Sequence, residues 1–169
     1  MKIRIIGHAG SGKTTLSKDL QTEYGFTSIP LDSFLKQKDK KKRRRKLHNE
    51  MTKHDSWIIE GVQEQRWCRQ TFTESDLVIV LDYPLFVVQY RVIKRTVLGM
   101  RKASKDRKAF LLKRAVALLK WNRRFSRNMP KLKKRLYEFN TNLYIIQSPK
   151  DIDRVNTIIG FYTDDKHKR

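Results

Sequence analysis

Short apolar runs alternate with longer stretches of mixed polarity along the chain. The apolar runs are rich in isoleucine, valine and leucine and are bounded by glycine, proline or charged residues, which is typical of buried strands. Strands are predicted at 2–6, 26–32, 57–61, 76–82 and 143–146. Because strands that alternate with helical stretches favour a parallel sheet covered by helices on both faces, the pattern predicts an α/β fold.

The stretches between these runs carry the periodicity of helices. Leu16, Leu20 and Tyr24 recur at i, i+4 spacing, and Gly25 supplies a stop signal. Helices are predicted at 15–24, 85–98, 105–127, 131–140 and 151–161, with breaks at Gly99 and Pro130. Residues 33–56 are predicted to be mostly helical, and residues 63–71 to form a short helix or a loop. The tail 163–169 is predicted to fray. Two apolar lines run along 105–127, with Leu111, Ala115, Leu118 and Phe125 in the first and Leu112, Val116 and Leu119 in the second. The spacing predicts one long amphipathic helix there.

Length and composition narrow the class of protein. With 169 residues the chain is predicted to form one domain, 1–169. No apolar run reaches the roughly 18 residues that span a membrane, and the chain starts on a strand pattern instead of a secretory leader. Cys68 is the only cysteine, which excludes an internal disulfide and fits a reducing compartment. These features predict a cytoplasmic protein that does not enter a membrane.

Residues 7–14, Gly7-His8-Ala9-Gly10-Ser11-Gly12-Lys13-Thr14, match the pattern G-x-x-x-x-G-K-[ST] between a predicted strand and a predicted helix. The glycines let successive backbone N–H groups converge on a polyphosphate, Lys13 adds a charge at the β- and γ-phosphates, and the Thr14 hydroxyl can bind Mg²⁺. Thr15 opens the following helix, whose positive end faces the same anion. The alternative is a chance glycine-rich turn, which the flanking elements disfavour. The motif predicts that residues 7–15 bind a nucleoside triphosphate, with Thr14 as a ligand of Mg²⁺.

Polar residues follow each predicted strand. Asp32, the pair Glu60-Gly61, Asp82 and the turn 147–149 come directly after strands, as the loop at Gly7 does. In open parallel sheets, ligands bind beyond the carboxyl ends of the strands. These residues are therefore expected to meet around one cleft.

Positive charge is concentrated in two segments of a chain whose formal net charge is +22. Residues 36–46 contain nine Lys or Arg and one acid, and residues 91–135 contain eighteen and one. The remainder is slightly acidic. Such concentration indicates an anionic partner, for which polyphosphate, nucleic acid and a membrane surface are the candidates; solvated helix faces are the alternative.

The motifs resemble those of small P-loop kinases of the adenylate- and shikimate-kinase type, and most closely those of the DNA topology modulation protein, FlaR-like, group. The resemblance covers about residues 1–150 and rests on the loop 7–14, Leu31-Asp32, Trp57-Ile58-Ile59-Glu60-Gly61, Leu81-Asp82-Tyr83-Pro84 and Arg91-Val92-Ile93-Lys94-Arg95. It implies a three-layer P-loop NTPase fold with a five-stranded parallel sheet in the order 2-3-1-4-5. The chain departs from the group at Glu60, where aspartate is more common, at Val62-Gln63, and in the more basic segment 36–46.

The resemblance also implies roles for residues that match. Glu60 is predicted beside the metal with Thr14, because strand three lies next to the loop strand. Asp82, Walker-B-like by sequence, is the alternative metal acid, or else a helix N-cap or turn residue before Pro84. Asp32 is the candidate general base or ligand of the acceptor hydroxyl, or else a turn-forming residue before Ser33. The implied catalytic residues are Lys13, Asp32, Arg91 and Arg95, and the implied acceptor-binding residues are Asp32 and Arg66. Further candidates for the lid, which the sequence does not rank, are Arg101, Arg107, Arg114 and Arg123. The turn 147–150 is expected to contact the adenine base.

The two basic segments fall where this type of kinase has its moving parts. Residues 33–56 are predicted to form an acceptor-binding flap and residues 96–135 a basic helical lid. Trp121, Phe125 and Tyr137 are interpreted as core, with stacking on bases as the alternative. The sequence predicts ATP/Mg²⁺-dependent phosphoryl transfer to a small acceptor, a nucleoside or nucleotide. The alternatives are a polynucleotide-end kinase and an NTP-controlled regulator that binds nucleic acid through its basic segments.

Overall fold

Five parallel strands form one sheet in the order β2-β3-β1-β4-β5 in the computed structural model, which describes residues 1–139 and 142–167. The strands are β1 Lys2–Gly7, β2 Thr27–Pro30, β3 Trp57–Glu60, β4 Leu77–Leu81 and β5 Asn142–Ile146. β1 lies in the centre, where Ile5 pairs with Glu60 of β3 and Gly7 pairs with Leu81 of β4. The predicted α/β class and strand order are confirmed.

Six helices connect and cover these strands within the described ranges. They are α1 Lys13–Tyr24, α2 Lys40–Met51, α3 Gln70–Thr73, α4 Leu85–Met100, α5 Lys105–Tyr137 and α6 Asp151–His167. Two 3₁₀ turns, Leu31–Lys36 and Arg66–Cys68, come after the edge strand β2 and after its neighbour β3. α1 connects β1 to β2, α2 lies between β2 and β3, and α4 and α5 together connect β4 to β5, as parallel pairing requires, whereas α6 follows the last strand.

Alternate residues of the strands face two different helical layers. Ile3 and Ile5 of β1 lie in a buried cluster with α1 and α6, whereas Ile6 lies in a cluster on the other face, under α5. A third cluster packs α2 against β2, β3 and the two 3₁₀ turns. The sheet is therefore the middle layer of three, and its carboxyl edge carries the loops that follow Gly7, Pro30 and Glu60.

The predicted break at Pro130 is wrong, because α5 continues through it from Lys105 to Tyr137. Proline removes one backbone hydrogen bond from a helix and crowds the preceding turn, at a cost of roughly 3 kcal/mol. Phe125 and Met129 before the proline and Leu132 and Leu136 after it are buried against the sheet. Burial of each such side chain contributes roughly 1.5–3 kcal/mol, so the packing on both sides outweighs the local penalty.

Other boundaries moved by a few residues. Gly99 does not end α4, which runs on to Met100; the chain turns between Arg101 and Ser104, whose hydroxyl accepts a hydrogen bond from the backbone N–H of Arg107. The closing helix reaches His167 instead of ending at 161, so its backbone includes much of the tail predicted to fray. Asn140, the predicted end of a helix, and residues 168–169 lie outside the described residues.

The second half of α5 belongs to the core of the protein. Phe125, Met129, Leu132 and Leu136 are buried between α5 and the sheet. The first half of α5 packs against α4, and its apolar residues Phe110, Leu112 and Val116 are about half exposed. The physical basis for a mobile lid is thus limited to the first part of the predicted segment 96–135.

Candidate active site

The loop between β1 and α1 has the backbone geometry that its glycines predict. Gly10 and Gly12 have φ angles of 81° and 95°, a region that residues with a Cβ rarely adopt. Gly7 has no room for a side chain, because an added Cβ would lie 2.6 Å from the Leu81 carbonyl oxygen. α1 begins at Lys13, two residues before the predicted start, so Lys13, Thr14 and Thr15 occupy its first turn.

Lys13 is buried at the centre of this loop. Its Nζ donates to the carbonyl oxygens of Gly7 at 3.1 Å and His8 at 2.7 Å. Burial lowers the pKa of Lys13 from 10.5 to about 8, and the nearby Glu60 carboxylate opposes that shift. The ammonium group is therefore held inside the loop, poised between its charged and neutral forms just above neutral pH.

The lowered pKa predicts that nucleotide affinity depends on pH through Lys13. The charged form attracts phosphate, and its population falls as the pH rises through about 8 in the free protein. Apparent ATP affinity is expected to be insensitive to this group below that point and to fall by about tenfold per pH unit above it. Equilibrium titrations over roughly pH 7 to 9.5 test this; the Lys13→Ala protein should lack the slope, and a wild-type profile that stays flat would contradict the prediction.

Thr14 and Glu60 form an oxygen-rich pair at the mouth of the loop. The Thr14 hydroxyl donates to Glu60 Oε1 at 3.2 Å, because β3 lies directly beside β1 and ends at Glu60. Mg²⁺ favours such hard oxygen ligands and commonly takes one or two protein groups together with substrate phosphates. No cluster of three or more His, Cys, Asp or Glu in the described residues resembles a metal-binding cage. The pair has the donor chemistry for Mg²⁺ bound jointly with a triphosphate.

Asp82 lies elsewhere, although its sequence context resembles that of a Walker-B acid. Its carboxylate forms an ion pair with Lys133 of α5. Pro84, not Asp82, occupies the N-cap position of α4, so the alternative of a capping acid does not hold. The geometry favours Glu60 over Asp82 as the acid beside Thr14.

Asp32 lies on the 3₁₀ turn Leu31–Lys36 and lines the same cleft as the loop. Its Oδ1 accepts a hydrogen bond from Gln63 Nε2 at 2.6 Å, which fixes the orientation of the carboxylate. Ser33 donates to the Pro30 carbonyl at 2.8 Å, so the residue next to Asp32 makes a local turn contact. The carboxylate itself remains directed to the cleft rather than to its own turn.

A buried arginine that the sequence did not indicate supports this part of the cleft. Arg4 of β1 is fully buried and donates to the carbonyl oxygens of Gly61 at 3.2 Å and Gln63 at 2.9 Å. Its guanidinium lies 4.8 Å from the centre of the Phe72 ring. Arg4 thereby ties the segment after β3, including the partner of Asp32, to the central strand.

Arginine side chains form the wall contributed by α4 and α5. Arg91, Arg95 and Arg114 line the cleft. Arg91 donates to the Ser11 carbonyl at 3.4 Å and lies 4.6 Å from the centre of the Tyr83 ring, so it already contacts the loop. Of the four arginines that the sequence predicts as lid residues without ranking them, Arg114 is the one that lines the cleft.

The predicted acceptor residue Arg66 does not reach this cleft. Arg66 is exposed on the 3₁₀ turn Arg66–Cys68 and lines a separate cavity with Glu64 and Arg135. The chain after Glu60 turns under Arg4 and carries Arg66 away from the sheet edge. The structure therefore corrects the expectation that Arg66 lies with Asp32.

The cleft as a whole has a volume of about 860 Å³. Its floor is the loop 9–15, and Tyr83, Pro149 and Ile152 provide an apolar end near the predicted adenine turn. Trp121 also lines the cleft, and its ring stacks on the buried Phe125 with centroids 4.7 Å apart. His8 does not face the cleft: its buried ring meets Phe125 edge-on at 5.0 Å, and burial lowers its pKa.

Asn122 of α5 is a contact of the loop that sequence reasoning missed. The side chain is fully buried, its Oδ1 accepts from the Ala9 N–H at 3.0 Å, and its Nδ2 donates to the Ala9 carbonyl at 3.0 Å. A polar residue within an apolar helical line was the only available signal, and that signal does not name a partner. Asn122 holds the outer arm of the loop against the core.

Replacing Asn122 with alanine is expected to loosen the loop. The change leaves two part-buried backbone groups of Ala9 without their partner, at a cost of about 1–3 kcal/mol in the free energy of unfolding. ATP affinity should fall because the loop must then be ordered on binding. Chemical denaturation and ATP titration test both effects; Asn128→Ala, an exposed position on the same helix, is the control. Unchanged ATP affinity in the Asn122 variant would contradict a positioning role.

The chain shares its fold with solved P-loop kinases. Shikimate kinase from Acinetobacter baumannii in complex with shikimate has a TM-score of 0.58 and 16% identity, over 98% of this chain and 94% of that one. Deoxyadenosine kinase from M. mycoides with bound dATP has a TM-score of 0.60 and 15% identity, over 97% and 100%. A sugar kinase from Janibacter has a TM-score of 0.53 and 19% identity, over 92% of each chain. At these identities the likeness shows the fold alone.

Sequence comparison adds no narrower assignment. No protein-family model matches the chain, and no curated protein does. The structural neighbours are kinases of small molecules, whereas the resemblance to the DNA topology modulation group stays a prediction. In the described part of the chain, none of the helices combines the length and the apolar character needed to cross a bilayer.

Proposed function

We propose that the protein transfers the γ-phosphoryl group of ATP, with Mg²⁺, to a hydroxyl or phosphate acceptor, a nucleoside or nucleotide. The observation that carries the proposal is the convergence of Lys13, the Thr14–Glu60 pair, Asp32 and two or more arginines on one cleft. Phosphoryl transfer depends on positioning and on neutralising charge, and these groups provide both. The kinases with the same fold include one with bound dATP, which supports a nucleotide in this cleft.

The loop would bind the triphosphate through its backbone N–H groups and Lys13. Lys13 now donates to the carbonyls of Gly7 and His8, so phosphate oxygens would replace at least one of these acceptors. Thr14 and Glu60 would hold Mg²⁺ directly or through water, and the ion would neutralise charge on the phosphates. Arg91 and Arg95 of α4, which line the same cleft, would bind the oxygens of the transferring group.

Asp32 would orient the acceptor hydroxyl and accept its proton. A carboxylate that acts in this way has to be held in place, and Gln63 does so through a hydrogen bond of 2.6 Å. Arg4 in turn holds the Gln63 backbone at 2.9 Å. This chain of contacts from the central strand to Asp32 supports a role in positioning, since an exposed turn acid would need no such support.

Transfer of labelled γ-phosphate from ATP/Mg²⁺ to a panel of nucleosides, nucleoside monophosphates and 5′-hydroxyl oligonucleotides tests the proposal. Label is expected on one acceptor class and is expected to be absent with the Lys13→Ala protein. ATP binding without transfer to any acceptor would refute the kinase.

A second candidate is a regulator that binds nucleic acid under the control of an NTP. The basic segments 36–46 and 91–135 favour it, because within the described residues Lys133 and Arg135 are their only members that form an ion pair. Nucleotide-dependent, salt-sensitive nucleic-acid binding by a protein that transfers no phosphate would establish this function instead.

A further inference from the structure

α2 presents an unusual density of positive charge on one short helix. Residues 40–46 are seven consecutive Lys or Arg, and all of them except Arg43 are exposed. Across the described residues, none of the seven forms an ion pair. A surface of like charges at this spacing is destabilising by itself, so it fits a binding surface for an extended anion.

The helix is firmly attached to the body of the protein. Leu47 and Met51 are buried in a cluster with Leu31 and Phe34. These two residues belong to the 3₁₀ turn that carries Asp32. At the other end, Arg43 donates twice to the Gln37 carbonyl through its guanidinium nitrogens, at 2.8 and 2.5 Å. The orientation of the basic face relative to Asp32 is therefore set by packing and hydrogen bonds.

The Arg43 contact has a second component. Its guanidinium lies 5.1 Å from the centre of the buried Trp67 ring. Arg43 is thus the one basic residue of 40–46 that serves the fold, and its exposed neighbours remain available to a partner.

The basic segment continues directly from the cleft. Asp32 and Leu35 of the 3₁₀ turn line the cleft, and the run of basic residues begins at Lys36, the next residue. α2 begins at Lys40, shortly after this turn, so a molecule whose reacting end lies at Asp32 would reach α2 by following this segment out of the cleft. Because α2 is about 18 Å long, it can contact several phosphates of one strand.

The chemistry of the exposed face favours a phosphodiester chain over a lipid surface. The apolar residues of α2, Leu47 and Met51, are both buried, so its exposed face offers nothing to insert between acyl chains. Lys and Arg side chains on a polar helix match the phosphates of a nucleic-acid backbone. The cleft adds Trp121, on which a base can stack.

We infer that the acceptor is the terminal nucleotide of a single-stranded nucleic acid, whose backbone phosphates lie along α2. This inference rests on the proposed function and names its substrate class. The terminal hydroxyl oxygen forms a bond to the γ-phosphorus of ATP while the bond from that phosphorus to the β–γ bridging oxygen breaks. The hydroxyl proton passes to Asp32, and ADP leaves.

The test compares two triple variants. Lys41→Gln/Arg44→Gln/Arg45→Gln removes three exposed charges from α2, and Arg127→Gln/Lys131→Gln/Lys134→Gln removes three exposed charges from α5 away from the cleft lining. A short 5′-hydroxyl single-stranded oligonucleotide is the probe, in DNA and RNA form. Its dissociation constant is measured against salt concentration, and its phosphorylation is measured at saturating ATP. ATP affinity and the thermal unfolding midpoint show whether each variant is folded.

The α2 variant is expected to bind the oligonucleotide about tenfold more weakly, and the slope of log K against log salt is expected to shrink by about 2, since each phosphate contact to a single strand contributes about 0.7. The α5 variant is expected to differ far less from the wild-type protein in oligonucleotide affinity and in the salt slope. Equal losses in the two variants would overturn the inference, because they would indicate delocalised attraction only. Transfer to free nucleosides with no oligonucleotide bound or phosphorylated would overturn the inference and leave the proposed function intact, whereas transfer to no acceptor would refute the proposed function itself.

Discussion

Replacing Lys13 with alanine is expected to reduce phosphoryl transfer by about 10³-fold and to weaken ATP binding strongly. The Nζ group is the only side-chain cation that lies inside the loop backbone, among the described residues, with hydrogen bonds to Gly7 and His8. A preorganised charge in a desolvated position contributes most where charge moves during the reaction. Initial rates of transfer and equilibrium titration with ATP measure the two effects.

The control for this change is Lys18→Ala. Lys18 lies on the same helix, α1, but is exposed and does not line the cleft. Its removal should leave both quantities within about twofold, because exposed charges are screened by water and salt. Transfer by the Lys13 variant at a rate close to that of the Lys18 variant would contradict the role of the loop, provided that both have the same unfolding midpoint.

The sequence predicted those parts of the fold that depend on local pattern. The buried strands at 57–60 and 77–81 were apparent because a short apolar run ends in a charged residue or proline. The loop glycines were assigned correctly, since Gly10 and Gly12 adopt backbone angles that only glycine adopts readily. The strand order came from the resemblance of the motifs to a kinase family and not from periodicity.

Predictions failed where distant contacts decide the outcome. Pro130 lies within a helix because side chains on both sides of it are buried on the sheet. Arg66 lies outside the cleft, beyond a segment whose backbone carbonyls bond to Arg4 of the central strand. Each case depends on a residue far away in sequence, and a local pattern contains no information about that partner.

In the candidate site, too, local motifs were predicted from the sequence and distant contacts were not. The hydrogen-bond donors and charges of the loop could be named from a short motif, but their supports could not. Asn122 acts on Ala9 across more than a hundred residues of chain, and Gln63 acts on Asp32 from a segment with no recognisable motif. The contacts that hold the site residues in place could therefore be identified only from the folded structure.

The second large effect is expected at Asp32. The Asp32→Asn protein should transfer phosphate about 10²–10⁴-fold more slowly, because the amide cannot accept the proton of the acceptor hydroxyl. Its ATP affinity should remain, since the Asp32 carboxylate accepts a hydrogen bond from Gln63 and forms none with a loop residue. Single-turnover transfer and ATP titration separate the two quantities.

A matched variant, Asp19→Asn, distinguishes general base chemistry from loss of negative charge in the cleft. Asp19 also lines the cleft, but it lies on the exposed face of α1 and has no hydrogen bond like that from Gln63. If both variants slow transfer equally, Asp32 acts only through the field of its charge. If only Asp32→Asn slows transfer while both bind ATP, the carboxylate held by Gln63 and Arg4 orients the acceptor. In that case Gln63→Leu, which removes the support and keeps the carboxylate, should reduce the rate by a smaller factor and mainly raise the KM for the acceptor.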